Sequence, residues 1–305
     1  MRSPVSSVTV RAPAKINLHL SVGPLRPDGY HDLTTVLQAV SLFDELTVRP
    51  ADALSLVVQG DTAAGVPAGP DNLAVRAVQA LAAEVGVAPH VSMLLHKGIP
   101  VAGGCAGGSA DAAAALVACD VLWGLGLGKD ELAVIGARLG SDVPFALHGG
   151  TALGTGRGEQ LTPVLAHGSY TWVLALSDTG LSTPEAYREL DRLRETGPVR
   201  VESEAEAVLQ ALRRGSPTAL GRALANDLEA AATSLRPELV AVLAAGRQLG
   251  ALGGMVSGSG PTVCFLAASE DQAAALSAGL VADGLCRAAP VAVGPVPGAR
   301  VVRSA

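Results

Sequence analysis

Aromatic residues make up only 3% of the 305 positions, so whatever core this chain forms must be built from Ala, Val and Leu. Cysteine is also sparse. Cys105, Cys119, Cys264 and Cys286 stand apart, with no C-x-x-C spacing to bind zinc or shuttle electrons. No stretch spells G-x-G-x-x-G and no glycine loop ends in Lys-Ser or Lys-Thr, which removes the main support for a dinucleotide fold or a Walker loop. A G-x-S-x-G elbow and an H-E-x-x-H pair are missing too. Any chemistry therefore falls to oxygen and nitrogen groups. No run of about 18 apolar residues lacks charge, and Met1 to Val10 holds no apolar signal region, so the expected location is cytoplasmic with no membrane partner. A net charge of -6 argues against nucleic acid as a partner.

What is present suits a compact protein of two lobes, with 49% apolar and 16% charged residues. Val8 and Val10, then Ile16, Leu18, Leu20 and Val22, alternate with other residues as strand faces do, and Ala12 to Lys15 joins or bends them. Leu46 and Val48, then Leu54 and Leu56, continue a sheet. From Asp71, read as a cap, Leu73, Ala77, Val78, Leu81 and Val85 recur at helical spacing until Gly86. Val91, Met93 and Leu95 read as a strand, and Asp130 to Leu139 as a helix. The second half opens on a strand, Tyr170 to Leu176, and is mostly helical between Pro184 and Leu249. It closes with Met255 to Leu266, a helix from Asp271 to Leu280, and an extended stretch from Pro290 to Val302. The glycine-rich segment from Gly149 to Gly158 is the expected hinge, dividing the chain into residues 1–155 and 156–305.

Pro100 to Ala115 carries the strongest local signal. Four glycines (Gly103, Gly104, Gly107 and Gly108) and Ser109 fall between the Val91 strand and a helix bearing Leu116, Val117 and Leu122, with Ser109 as its expected N-cap. Such a junction aims backbone N–H groups and the positive end of a helix dipole at one point, where a phosphate chain is the usual guest. A purely structural turn is the alternative, since glycine also serves positive-φ corners. Ser257-Gly258-Ser259-Gly260-Pro261-Thr262 reads as a hairpin bend or as a second wall of the same site. Asp142, just before Pro144, reads either as a helix cap or as a chemical group.

Pro13-Ala14-Lys15-Ile16-Asn17-Leu18, Asp28-Gly29-Tyr30-His31, the glycine loop, Gly140-Ser141-Asp142-Val143-Pro144-Phe145 and Ser257 to Thr262 follow one another in an order that resembles the GHMP small-molecule kinases. The first, second and fourth segments are similar to the branch whose acceptor is a cytidine-diphosphate-linked methylerythritol of the non-mevalonate isoprenoid route. The resemblance spans about Val8 to Val302. It implies an α+β, two-lobed fold with the active site in the cleft between lobes, and transfer of a phosphoryl group from ATP, with Mg²⁺, to the 2-hydroxyl of the methylerythritol unit. Asp142 would take the proton and Lys15 would sit between it and the γ-phosphate; Pro100, Gly103, Gly104, Gly107, Gly108 and Ser109 would cradle the phosphates. Asn72 and Lys97 would meet the adenine. For the sugar nucleotide, Tyr30 and Tyr187 would sandwich the cytosine, His31 would read its edge, Asn17 would touch substrate near Lys15, and Thr183 the ribose or phosphate. No residue is assigned as a metal ligand. The only partner expected is the small-molecule substrate, with the chain a monomer or weak homodimer.

The loop departs from the family pattern. Gly104-Cys105-Ala106-Gly107-Gly108-Ser109-Ala110-Asp111 has Ala106 where relatives carry glycine and Ala110 in place of a second serine, so only Ser109 remains to meet a cation. Mg²⁺ would then be held mainly by phosphates and water. Cys105 reads as a small buried hydrophobe rather than a reactive thiol.

Overall fold

The computed structural model describes residues 6–101, 103–197 and 205–304. It is built on one long hairpin. Strand β1 (Val8–Leu25) and strand β2 (His31–Pro50) run antiparallel over most of their length. Ala12 to Lys15 neither joins nor breaks them; the chain passes through as a single strand with a bulge at Pro13/Ala14, where the missing proline N–H is tolerated. Asp28 makes the reversal: its Oδ1 accepts from Tyr30 N at 3.1 Å, and Gly29 takes φ 81°.

The chain then adds β3 (Ser55–Gln59), α1 (Leu73–Val85), β4 (Val91–His96), α2 (Gly107–Trp123), α3 (Lys129–Ala137), α4 (Val143–His148), β5 (Thr151–Thr155) and β6 (Gln160–Pro163). The cap of α1 is Asn72 rather than Asp71, its Oδ1 accepting from Ala74 N at 2.8 Å. Helix α2 starts two residues before the expected Ser109 cap. Ala106 precedes it at φ 57°, the left-handed region, and Ser109 lies in the first turn with no capping role. Ala110, the four alanines from Ala112 to Ala115, Leu116, Ala118 and Cys119 of α2 are all fully buried. Their small side chains let the helix lie close against β1, β2, α1 and α4 at once.

Past Pro163 come β7 (Tyr170–Ala175), α5 (Thr183–Thr196), α6 (Ala205–Arg214), α7 (Pro217–Ala223), β8 (Ala225–Asn226), α8 (Glu229–Leu235), α9 (Glu238–Gln248), β9 (Gly253–Val256), β10 (Val263–Ala267), α10 (Glu270–Ala282), β11 (Val291–Gly294) and β12 (Arg300–Ser304). The first sheet has the order β12-β1-β2-β4-β3, with β5 on β2, β6 on β5 and β8 beside β1. The second is β11-β7-β10-β9. The expected division at 155/156 falls inside the β5–β6 hairpin, where Thr155 pairs Gln160, and both β8 and β12 return to the first sheet. Strand alternation splits β7 between cores: Tyr170, Trp172 and Leu174 join the core under the first sheet, while Val173 and Ala175 join that under α9 and α10.

Candidate active site

The elements converge on a cleft of about 1100 Å³ between the lobes. One wall is β1, whose period of two puts Lys15 and Asn17 on the same face. Lys15 Nζ donates to Asn17 Oδ1 at 2.8 Å; Asn17 Nδ2 donates to Thr35 Oγ1 at 2.8 Å, and that hydroxyl donates to His19 O at 2.7 Å. The chain of bonds tethers the ammonium to this wall of the cleft. It lies 3.8 Å from Asp142 Oδ2. Asp142 stands at the start of α4, yet its side chain makes no capping bond, so the carboxylate is left to the cleft. Asp142 therefore precedes α4 without capping it through its side chain.

The glycine loop and the Ser257 to Thr262 turn meet back to back. Lys15 N donates to Cys105 O at 3.2 Å, and Ser257 Oγ to Gly104 O at 3.4 Å. Gly104, at φ 74°, passes so close that a Cβ would stand 2.2 Å from Ser257 O. The second loop is both bend and wall: it joins β9 to β10, and a Cβ on Gly258 would come 3.3 Å from both Lys15 Nζ and Asn17 Oδ1. Gly103, Gly104, Gly107 and Gly108 line the cleft beside Pro100. The first N–H groups of α2 have no acceptor within the helix and carry its positive dipole end. Ser109 stands a step back, its Oγ 3.8 Å from where Gly140 would carry a Cβ.

Two expected adenine contacts are already engaged. Asn72 donates from Nδ2 to Pro67 O at 2.7 Å while its Oδ1 caps α1. The Lys97 ammonium, 2% exposed, bonds Asp111 Oδ2 at 2.8 Å and Asp44 Oδ2. Asp44 Oδ1 in turn accepts from Gly98 N and Ile99 N at 2.7 and 2.9 Å. Burial works against the Lys97 charge, but Asp111 and Asp44 outweigh it and lift its pKa above the ordinary lysine value. Burial raises Asp111 well above the usual carboxylate range, with Lys97 opposing and Asp44 adding to the rise. Asp111 Oδ1 is buried with no hydrogen-bond partner. Both Asn72 and Lys97 border the cleft, but this triad is the floor of the loop: a Cβ on Gly107 would stand 3.1 Å from Lys97 Nζ.

At the far end, Tyr30 is 53% exposed and the Arg157 guanidinium sits 4.8 Å from its ring centroid. His31 is buried, stacked on Tyr187 at 5.2 Å between centroids, with Nε2 2.9 Å from Asp191 Oδ1. Tyr187 therefore covers the His31 ring. Burial, and secondarily Asp142, keeps its hydroxyl protonated. Thr183 Oγ1 is 2.9 Å from Ser259 Oγ, tying the start of α5 to the second loop. Asp44, Asp111, Arg157 and Asp191 escaped the sequence reading. Asp191 could have been found, one turn after Tyr187 on the same helix face, as could Arg157 between two glycines.

Residues 72–150 match the GHMP kinases N terminal domain, and residues 208–284 the GHMP kinases C terminal domain. A protein of Nocardia farcinica named 4-diphosphocytidyl-2-C-methyl-D-erythritol kinase is 59% identical, the alignment covering 97% of each chain. The chain belongs to the GHMP kinase family. A second kinase of the same name, from Mycobacterium tuberculosis, is 56% identical over 98% of this chain and 94% of its own length. The crystal structure of a 4-(cytidine 5'-diphospho)-2C-methyl-D-erythritol kinase superposes with a TM-score of 0.76 at 36% identity, covering 93% of this chain and 98% of that one. As a GHMP kinase, the protein has the expected α+β, two-lobed fold, uses ATP and acts on a small molecule. Among its described residues no helix is long and apolar enough to cross a membrane, and no group of three or more His, Cys, Asp or Glu is placed to hold a metal ion.

Proposed function

We propose that this kinase transfers the γ-phosphoryl group of ATP to the 2-hydroxyl of 4-diphosphocytidyl-2-C-methyl-D-erythritol, with Asp142 accepting the hydroxyl proton and Lys15 stabilising the transferred charge. Relatives of that name at 59% and 56% identity over nearly the whole chain support the substrate. The observation that carries the chemistry is the 3.8 Å Lys15–Asp142 pair, a carboxylate left uncapped beside an ammonium that Asn17 orients. Phosphoryl transfer asks the protein mainly for position and charge. The glycine loop and the first N–H groups of α2 hold the phosphates from one side. Lys15 faces both the carboxylate and the incoming phosphoryl, so proton acceptance by Asp142 and charge build-up on the moving group are stabilised by one cation.

A Mg²⁺ arriving with ATP would be held mainly by phosphate oxygens and water, with Ser109, a step back from the cleft, the one hydroxyl in the first turn of α2. Bound there, Mg²⁺ would screen the phosphate charge. Tyr30 offers its face to the cytosine and the stacked His31–Tyr187 pair borders the base, with Thr183 and Ser259 toward the ribose or diphosphate. The base would take the place of the Arg157 guanidinium on the Tyr30 ring. Lys97 and Asn72 hold the loop and α1 beneath the adenine.

Asp142→Ala should lower kcat by about 10² to 10⁴ while ATP affinity stays within a few-fold. Lys15→Ala should lower kcat by about 10² to 10³. Coupled ADP-release assays and calorimetry with ATP test both. Near-normal kcat in either variant removes that residue from the chemistry, and turnover with methylerythritol phosphate equal to that with the cytidyl compound removes the substrate.

A further inference from the structure

The bond between His31 and Asp191 joins residues 160 positions apart, one opening β2 and the other on the third turn of α5. Thr183, Tyr187 and Asp191 follow at intervals of four, so they rise along a single face of α5 toward the cleft. His31 is held on two sides by that face: Tyr187 covers its ring and Asp191 takes Nε2. We infer that Asp191 is a positioning residue for base recognition: it locks the ring and tautomer of His31, and so sets the preference for cytosine over uracil. The inference rests on the cytosine site proposed above.

Docking of α5 does not need Asp191. Arg194 of the same helix donates to Val22 O at 2.7 Å, to Gly23 O at 3.2 Å and to Asp227 Oδ2 at 3.2 Å, while Leu190 is fully buried against Leu20, Val22 and Leu228. The helix is thus fastened to the end of β1 by its neighbours. What Asp191 adds is confined to the imidazole. A carboxylate oxygen is acceptor only, so in the neutral ring it fixes the proton on Nε2 and leaves Nδ1 as a bare acceptor. An acceptor at the 4-position of a pyrimidine receives the amine of cytosine and opposes the carbonyl of uracil. With the other tautomer the preference inverts. Stacking on Tyr187 prevents the ring from turning to escape the choice.

Two variants test this, assayed with the cytidyl substrate and its uridyl counterpart. Asp191→Leu keeps the branching at Cγ and removes the acceptor; KM for the cytidyl substrate should rise about tenfold and the cytosine preference should shrink by a similar factor, with kcat and KM for ATP unchanged. Asp191→Asn offers either a carbonyl or an amine to Nε2, so it should hold the ring, nearly restore KM, and still relax the preference. Nitrogen-15 spectra of histidine-labelled protein should show His31 as the Nε2–H tautomer in the wild type and mixed in Asp191→Leu. A wild-type preference that survives intact in Asp191→Leu overturns the inference and leaves the cytosine site standing. Equal losses in kcat and in KM for both substrates overturn it in favour of a structural role. If the wild type itself accepts both nucleotides alike, the cytosine site fails and the inference with it.

Discussion

Ala106 is the one residue other than glycine among the described positions that takes a positive φ, 57°, and it does so at the entry to α2 in the middle of the phosphate loop. An L residue in the left-handed region costs about 1 to 2 kcal/mol, of which a glycine would return part through its larger unfolded-state entropy. Ala106→Gly should therefore stabilise the protein by about 1 kcal/mol, read as a higher urea midpoint at unchanged slope. A lower midpoint would mean that the methyl packs favourably enough to offset the strain. Gly104 is the opposite case. At φ 74° with Ser257 O standing 2.2 Å from its would-be Cβ, Gly104→Ala must part the two loops, and ATP affinity should fall more than the affinity for sugar nucleotide. Calorimetry with each ligand decides it, and an unchanged ATP affinity in a folded Gly104→Ala protein would place the phosphates elsewhere. Cys105 needs no such test as a nucleophile: it is fully buried, and burial raises its thiol despite Lys15 nearby.

Helix α2 shows what an element adds to its residues. Its alanine-rich sequence predicts a helix, and the structure adds that it has no solvent face to speak of, so periodicity gave little sense of which side was core. Leu116 is fully buried amid small side chains that cannot swing in to fill a hole. Leu116→Ala should cost about 3 to 5 kcal/mol, near the upper part of the usual range, and denaturant titration against the wild type measures it; a loss under about 1 kcal/mol would show a core able to collapse. Elements with clean punctuation were legible in sequence: α1 ends at Gly86 in the left-handed conformation and β4 alternates, while α10, read from Asp271, starts one residue earlier behind a Ser269 cap. Strand β2 was legible only at Leu46 and Val48, because its stretch from Thr35 to Val40 is buried on both sides and does not alternate, and β5 was hidden under glycines taken for a hinge. In the site, motif residues such as Lys15 and Asp142 could be named from their neighbours in sequence. The His31–Asp191 and Lys97–Asp44 pairs could not, since each links segments that only the fold brings together.

At the scale of the whole molecule, the question is whether two lobes unfold as two units. A chain of this length with two sheets would ordinarily show intermediates. Here the lobes share their interior. Strand β7 belongs to the second sheet, yet Tyr170, Trp172 and Leu174 pack into the core of the first, and Trp172 Nε1 donates to Gln38 Oε1 at 3.0 Å. Gln38 Nε2 passes the connection to Thr151 Oγ1 at 3.2 Å. The last strand, β12, then pairs with β1, so the two ends of the chain close the same sheet. Undoing the second lobe alone would strip a buried tryptophan and an edge strand from the first and leave the buried Gln38 Oε1 without its donor. We therefore expect one transition in urea, with tryptophan fluorescence and far-UV circular dichroism coinciding. ATP supplies a second check, because a ligand that binds only the native state stabilises whatever unit must unfold to release it. At 100 times its Kd, ATP should add about 2.7 kcal/mol, and both signals should shift together. A circular dichroism curve with two steps, only one of them moved by ATP, would show that the glycine loop reports on the first lobe alone and that the shared core is too weak to couple them.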